Sequence, residues 1–255
     1  IIVLWESRLG ICIESYGFAA KYQRVCSRYV LFKVDAKNST IEGNWVSLQE
    51  ILHFLKRFFN MSVNKKILLI NGHPDKESFN FALADAYVLG TKKSGSEIKV
   101  INIRDLEFNP NLEFGYRKRT ELEPDLLDAW EKIQWANHLV LVFPVWWGGL
   151  PAMTKGFFDR LFLPGFAFKK RENSLWWDKL LTGKSARVIC TMDQPTWYYR
   201  LINGGPSHYA VKKLTFNFVG IKPVKITAIG PIRLSKPDFR NKWLQKVERL
   251  GEKMK

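Results

Sequence analysis

From Lys65 onward the chain alternates short apolar runs with segments of helical spacing, and that alternation restricts it to a parallel sheet covered by helices on both faces. The run from Ile67 to Asn71 ends at Gly72 and reads as the first strand; Ile98–Ile103, His138–Phe143, Ala186–Thr191 and Val224–Ile229 read as four more. Between them, Ser78 to Lys93 sets Phe79, Ala82, Leu83, Ala86 and Tyr87 at helical spacing, with Ser78 available as N-cap. Pro124–Trp135, Pro151–Leu163 and Ser207–Val219 predict three further helices, the last ended by Gly220. The basic tract from Arg233 to Lys255 carries Leu and Trp at helical spacing, which predicts an amphipathic closing helix with a solvated face.

Five strands alternating with five helices predict a three-layer α/β domain of flavodoxin-like order 2-1-3-4-5. In such a sheet ligands sit beyond the carboxyl ends of the strands, so chemistry belongs in the loops after strands 1, 3 and 4. Composition is compatible with this: 255 residues, 46% of them hydrophobic, can fill a sizeable core. A membrane span requires about 20 apolar residues, and the longest candidate, Leu139–Trp147, is short and broken by Pro144. Cys12, Cys26 and Cys190 are odd in number and His53, His73, His138 and His208 lie far apart, so neither a disulfide framework nor a metal site is expected. This cysteine usage fits a reducing cytoplasm. The net charge of +16 suits anionic ligands, but Lys and Arg are scattered rather than gathered on a motif, which argues against nucleic-acid binding.

The first loop, Gly72-His73-Pro74-Asp75-Lys76-Glu77-Ser78-Phe79-Asn80, leads into a helix N-terminus where free N–H groups favour a phosphate. It has neither GxGxxG nor a Walker lysine, and it reads equally as a βα turn with a serine cap. The second, Phe143-Pro144-Val145-Trp146-Trp147-Gly148-Gly149-Leu150-Pro151, sets paired tryptophans between a buried strand and a helix. Those indoles either stack on a planar ligand or plug the sheet end. The third, Thr191 to Tyr199, is rich in aromatic and polar groups, with His208 following the Gly204-Gly205-Pro206 turn. Asp193 and His208 have no serine or cysteine elbow beside them, which gives little support to hydrolysis.

Taken together, GHPDKESFN at Gly72–Asn80, FPVWWGGLPAMTKGFFDRLF at Phe143–Phe162 and TMDQPTWYYR at Thr191–Arg200 resemble the NAD(P)H:quinone oxidoreductase family. That family includes flavodoxin-like quinone reductases and the ancillary oxidoreductases of bacterial potassium efflux systems. The resemblance implies a flavin, FAD or FMN, with NAD(P)H as co-substrate and hydride transfer through the flavin to a quinone or similar acceptor. By position it assigns His73, Ser78, Phe79 and Asn80 to the flavin phosphate and its surroundings. Pro144, Val145, Trp146, Trp147 and Gly148 would line the ring, and Thr191, Met192 and Asp193 would approach its pyrimidine edge. Tyr198, Tyr199 or His208 would donate to the reduced ring; animal members carry Thr-Thr-Gly-Gly after strand 4, where this chain has Cys190-Thr191-Met192-Asp193. The family also implies a homodimer, for which the apolar face of Phe157, Phe158, Leu161 and Phe162 is either core or interface. The rival readings are an azo or nitro reductase and a flavin-binding redox sensor attached to a membrane transporter.

Residues 1–60 match nothing in the family pattern, and Met61 sits where a member ordinarily begins. They read as an extension to a domain spanning 61–255, either the product of an over-extended reading frame or a real addition with Leu48–Phe59 as an amphipathic helix.

Overall fold

The structure, a computed structural model, describes residues 65–253 and the backbone of four strands among residues 2–47. Those strands, β1 (Ile2–Ser7), β2 (Gly10–Glu14), β3 (Arg28–Asp35) and β4 (Thr40–Ser47), form an antiparallel sheet of order β2-β1-β3-β4. The chain divides into two compact units, Ile1–Val63 and Asn64–Lys255. The Leu48–Phe59 segment lies outside the described residues.

The second unit is the expected parallel sheet. β5 (Lys66–Asn71), β6 (Glu97–Asn102), β7 (His138–Pro144), β10 (Ser185–Thr191) and β11 (Val224–Ile229) run parallel in the order β6-β5-β7-β10-β11, which is 2-1-3-4-5 counted within the domain. Every residue of β7 is buried, as a central strand covered on both faces must be. One face carries α1 (Phe79–Lys93) and α7 (Pro237–Glu252) over Ile67, Leu69, Val140, Val142, Ile189 and Ile229. The other carries α2 (Pro124–Trp135) and α3 (Ala152–Leu161) over Leu68, Ile70, Leu139, Leu141, Phe143 and Val188.

The structure resolves one alternative, corrects one helix and adds one hairpin. The phenylalanine face of α3 is core: Phe157, Phe158, Leu161 and Phe162 are all buried within the domain, so that face is not free to form a dimer interface. The helix read as Ser207–Val219 is not uniform, because α5 (Pro206–Tyr209) passes through a π-helical stretch, Ala210–Phe216, into α6 (Asn217–Val219). The extra residue per turn leaves Val211 and Phe216, five apart, both facing the core. Between α3 and β10 the chain also inserts a hairpin, β8 (Phe168–Lys170) and β9 (Trp177–Lys179), whose Trp177 stacks on Phe218 at 4.1 Å. Strands of three residues carry too few alternations to announce themselves.

Candidate functional site

The loop after β5 is wound by its own side chains. Asn71 Oδ1 accepts the His73 N–H (3.2 Å), His73 Nδ1 accepts that of Asp75 (3.0 Å), and Asp75 Oδ1 accepts that of Glu77 (3.0 Å). These bonds deliver the chain to Ser78, which caps α1 by accepting from Phe81 N–H (3.4 Å). An α-helix leaves its first N–H groups without intrahelical partners, and the first turn here has no acidic residue. The amides of Phe79 and Asn80 therefore suit an anion. Burial, opposed in part by Asp75, holds His73 below the usual imidazole range. A neutral ring accepting at Nδ1 carries its hydrogen on Nε2, which makes His73 a donor. Gly72 is required by packing: a Cβ there would stand 2.3 Å from Thr154 Oγ1, whose hydroxyl donates to Gly72 O (3.0 Å).

Beyond β7 the chain reverses in a two-residue turn. Trp146 and Gly149 exchange backbone hydrogen bonds of 3.1 and 2.8 Å, and the central residues Trp147 and Gly148 have φ of +49° and +74°. Positive φ at both centres is the type I′ pattern, ordinary for glycine and uncommon for tryptophan. The turn uses its outer amides on itself, so the N–H groups of Trp147 and Gly148 face outward. The Trp147 indole is fully exposed and Trp146 partly so, its ring edge-on to His73 at 5.7 Å. The tryptophans therefore do not plug the sheet end; Pro144 is buried there and Val145 N–H bonds to Thr191 O at 2.7 Å.

The third loop is held by what surrounds it. Thr191 is buried and its hydroxyl accepts from Asn80 Nδ2 (2.9 Å), so these two residues join α1 to β10. Met192 N–H bonds to Ile229 O (2.9 Å), and the Asp193 carboxylate accepts the Arg233 N–H (2.9 Å). The chain then enters α4 (Thr196–Leu201). Tyr199, 3% exposed, gives its one proton to Gly148 O (3.1 Å) and accepts from Ser207 N–H (2.9 Å) and the Ser207 hydroxyl (2.7 Å). One phenol thus ties the tryptophan turn to the start of α5.

The three residues assigned by the sequence to proton donation differ in exposure and in what they bond. Tyr198 is exposed and lies edge-on to Trp197 at 5.7 Å. Tyr199 is spent on the turn. His208 packs edge-on to Tyr199 at 5.1 Å and turns Nε2 toward Cys190 Sγ at 3.3 Å. Burial and the charge of Arg200 hold His208 below its usual range, and burial pushes the Cys190 thiol up to about 12, so both are neutral. Phe79 faces the opposite helix, with Arg240 stacked 5.8 Å from its ring. Sequence reading passed over Asn71, Thr154 and Ser207. Each is a small polar residue that burial reveals: Asn71 Nδ2, at the carboxyl end of β5, is a buried donor without a partner among the described residues.

Residues 65–254 match the flavodoxin-like fold family, and the chain belongs to it. It is 30% identical over 128 residues to NAD(P)H dehydrogenase (quinone) 1 of Cavia porcellus, a match covering 42% of this chain and 46% of that enzyme. The chain thus spans less than half the length of that relative. With an uncharacterized NAD(P)H oxidoreductase of Haemophilus influenzae it shares 28% identity over 173 residues, 66% of this chain and 84% of the relative. Among solved structures, Smu.1420 from Streptococcus mutans UA159 superposes with a TM-score of 0.66 at 29% identity, covering 73% of this chain and 98% of that one.

The side chains fit a planar, phosphate-bearing group on three counts: a capped helix N-terminus with a donor histidine, an exposed pair of indoles beside outward amides, and an unpartnered donor at Asn71. Among the described residues no group of His, Cys, Asp and Glu is arranged to hold a metal ion. No helix among them is long and apolar enough to cross a membrane.

Proposed function

We propose that this chain is a flavin-dependent NAD(P)H dehydrogenase that reduces quinones. The observation that carries this reading is the Tyr199 hydroxyl, which joins the turn after β7 to the segment after β10 at the sheet edge where the phosphate-type loop also ends. When bound, a flavin, FMN or FAD, supplies the capacity to accept hydride from NAD(P)H and pass two electrons to an acceptor.

The protein's part is binding and orientation. The first turn of α1, the Ser78 hydroxyl and His73 Nε2 would hold the phosphate, with Asn80 and Thr191 fixing the helix to the sheet. Trp146 and Trp147 would stack against the ring, Pro144 and Val145 set the base of the turn, and the N–H groups of Trp147 and Gly148 would serve the ring's polar edge. Thr191, Met192 and Asp193 border the same edge, anchored through Asn80, Ile229 and Arg233. Tyr198 is the exposed hydroxyl that can donate to a ligand, while Tyr199 and His208 position the loops. The domain from Met61 onward carries this activity by itself, in a homodimer.

The test is the absorption spectrum and turnover of the purified chain. Copurifying flavin bands together with oxidation of NADH or NADPH by menadione are expected. Flavin without turnover would favour a redox sensor attached to a transporter, and turnover restricted to azo or nitro compounds would replace the quinone. A chain lacking flavin affinity would overturn the reading.

A further inference from the structure

The long segment that joins β6 to α2 is clamped by the buried Arg160 of α3, which donates to Asn109 O and to Glu121 O (2.9 Å) and pairs with Glu123 (2.8 Å). Between these clamps the backbone turns on itself, Gly115 N–H bonding to Leu112 O (2.9 Å) and Arg117 N–H to Phe114 O (3.2 Å). The chain leaving α3 makes a turn of its own, with Phe166 N–H on Leu163 O (3.1 Å). The two sets of turns border a cleft of about 140 Å³ that shares no residue with the three loops described above.

The lining decides what fits. Leu112, Leu163 and Pro164 face it with hydrocarbon, and the Tyr116 ring is 66% exposed and makes no ring contact among the described residues. A protein cavity of about 150 Å³ holds one benzene ring, so a cleft of about 140 Å³ admits a single six-membered ring and excludes a fused system. Lys118 and Arg119 line the same space. Neither meets a carboxylate among the described residues; Lys118 lies over the Phe114 ring and Arg119 over the Phe166 ring, both at 4.9 Å. An aromatic face orients a cation without cancelling its charge. Arg117, 6.0 Å from the Phe114 ring, adds a third positive charge, and the exposed Glu113 and Glu121 pair with none of the three. Thr120 completes the lining with a buried hydroxyl that has no hydrogen-bond partner among the described residues.

We propose that this cleft binds a monocyclic aromatic carboxylate of benzoate size. The ring lies against Leu112, Leu163 and Pro164 with Tyr116 stacked on it, and the carboxylate turns to Lys118, Arg119 and the Thr120 hydroxyl. Inorganic phosphate carries the charge but leaves the hydrocarbon uncovered, and a neutral ring covers the hydrocarbon but leaves the cations unmet. The site does not depend on the flavin reading.

The experiment is a fluorine NMR titration of the full chain as isolated, with para-fluorobenzoate as probe and para-fluorobenzyl alcohol as the ring without the charge. The acid should bind with a dissociation constant on the order of 1 mM or tighter, and at least about fivefold more tightly than the alcohol. Inorganic phosphate, the charge without the ring, should compete at least about fivefold more weakly than unlabelled benzoate. Lys118→Gln and Arg119→Gln alter exposed side chains, so both should fold as the parent does, and each should weaken the acid about fivefold. A crystal soaked in para-bromobenzoate should show the anomalous signal of bromine between Leu112 and Leu163. Equal affinity for acid and alcohol, phosphate competing as well as benzoate, unaltered affinity in both variants, no binding up to about 10 mM, or bromine only outside the cleft would each overturn the proposal.

Discussion

At the scale of single residues, the tyrosines of the third loop divide two roles that look alike in sequence. Tyr199→Phe leaves Ser207 N–H without its acceptor and Gly148 O without its donor, both beside a turn that already holds a tryptophan at positive φ. Leaving buried groups unpaired costs about 1–3 kcal/mol, which a urea titration should register. Because the turn presents the outward amides, flavin affinity should fall about tenfold, equivalent to about 1.4 kcal/mol. Tyr198→Phe touches an exposed ring whose hydroxyl makes no hydrogen bond among the described residues, and its stability should stay within about 0.5 kcal/mol of the parent. A slower flavin reduction in Tyr198→Phe at unchanged stability would mark it as the donor. An unchanged rate would remove that role from Tyr198.

Among elements, the approach of α1 to α7 depends on two helical glycines. A Cβ on Gly90 would stand 1.9 Å from Glu248 O, and one on Gly251 would stand 2.3 Å from Tyr87 O. Helix propensity alone predicts that alanine gains about 1 kcal/mol at either position. Here the added methyl meets backbone rather than a yielding side chain, and overpacking of this kind costs about 1–3 kcal/mol, so the steric effect outweighs the propensity. Gly90→Ala and Gly251→Ala should each lower the thermal midpoint by several degrees; a rise in either would show that the helices are not so close. The same elements explain how much was legible in the sequence. The strands were, because Ile67–Ile70 and Leu139–Phe143 are buried on both faces and their apolar runs leave little else possible. The three site loops were legible as loops, from Gly72, Gly148 and Pro195 at strand ends. The division of labour between Tyr198 and Tyr199 was not, since it depends on Ser207 and Gly148 arriving from elsewhere in the chain. Arg160 was equally opaque: on an apolar helix face it is 1% exposed, paired to Glu123 at 2.8 Å and bonded to the carbonyls of Asn109 and Glu121, so it fastens the long segment after β6.

For the whole molecule, pH probes the amino end of the sheet through His138. Burial first, and then the charges of Lys65, Arg187 and Lys225, lower this imidazole to about 4 from its usual 6.5, so the folded protein keeps it neutral. The unfolded chain takes up a proton once pH drops below 6.5, and the folded chain does so only near 4. Stability from this group is therefore complete above pH 6.5, falls as pH falls toward 4 and is flat below that. His73 and His208 are lowered in the same direction and add to the slope. Moving from pH 7.5 to 5.0 should cost on the order of 2 kcal/mol, read from urea midpoints at constant m-value. His138→Gln should flatten most of this dependence, because glutamine stays neutral in both states. Stability unaltered between pH 7.5 and 5.0 would mean that burial does not hold the ring neutral.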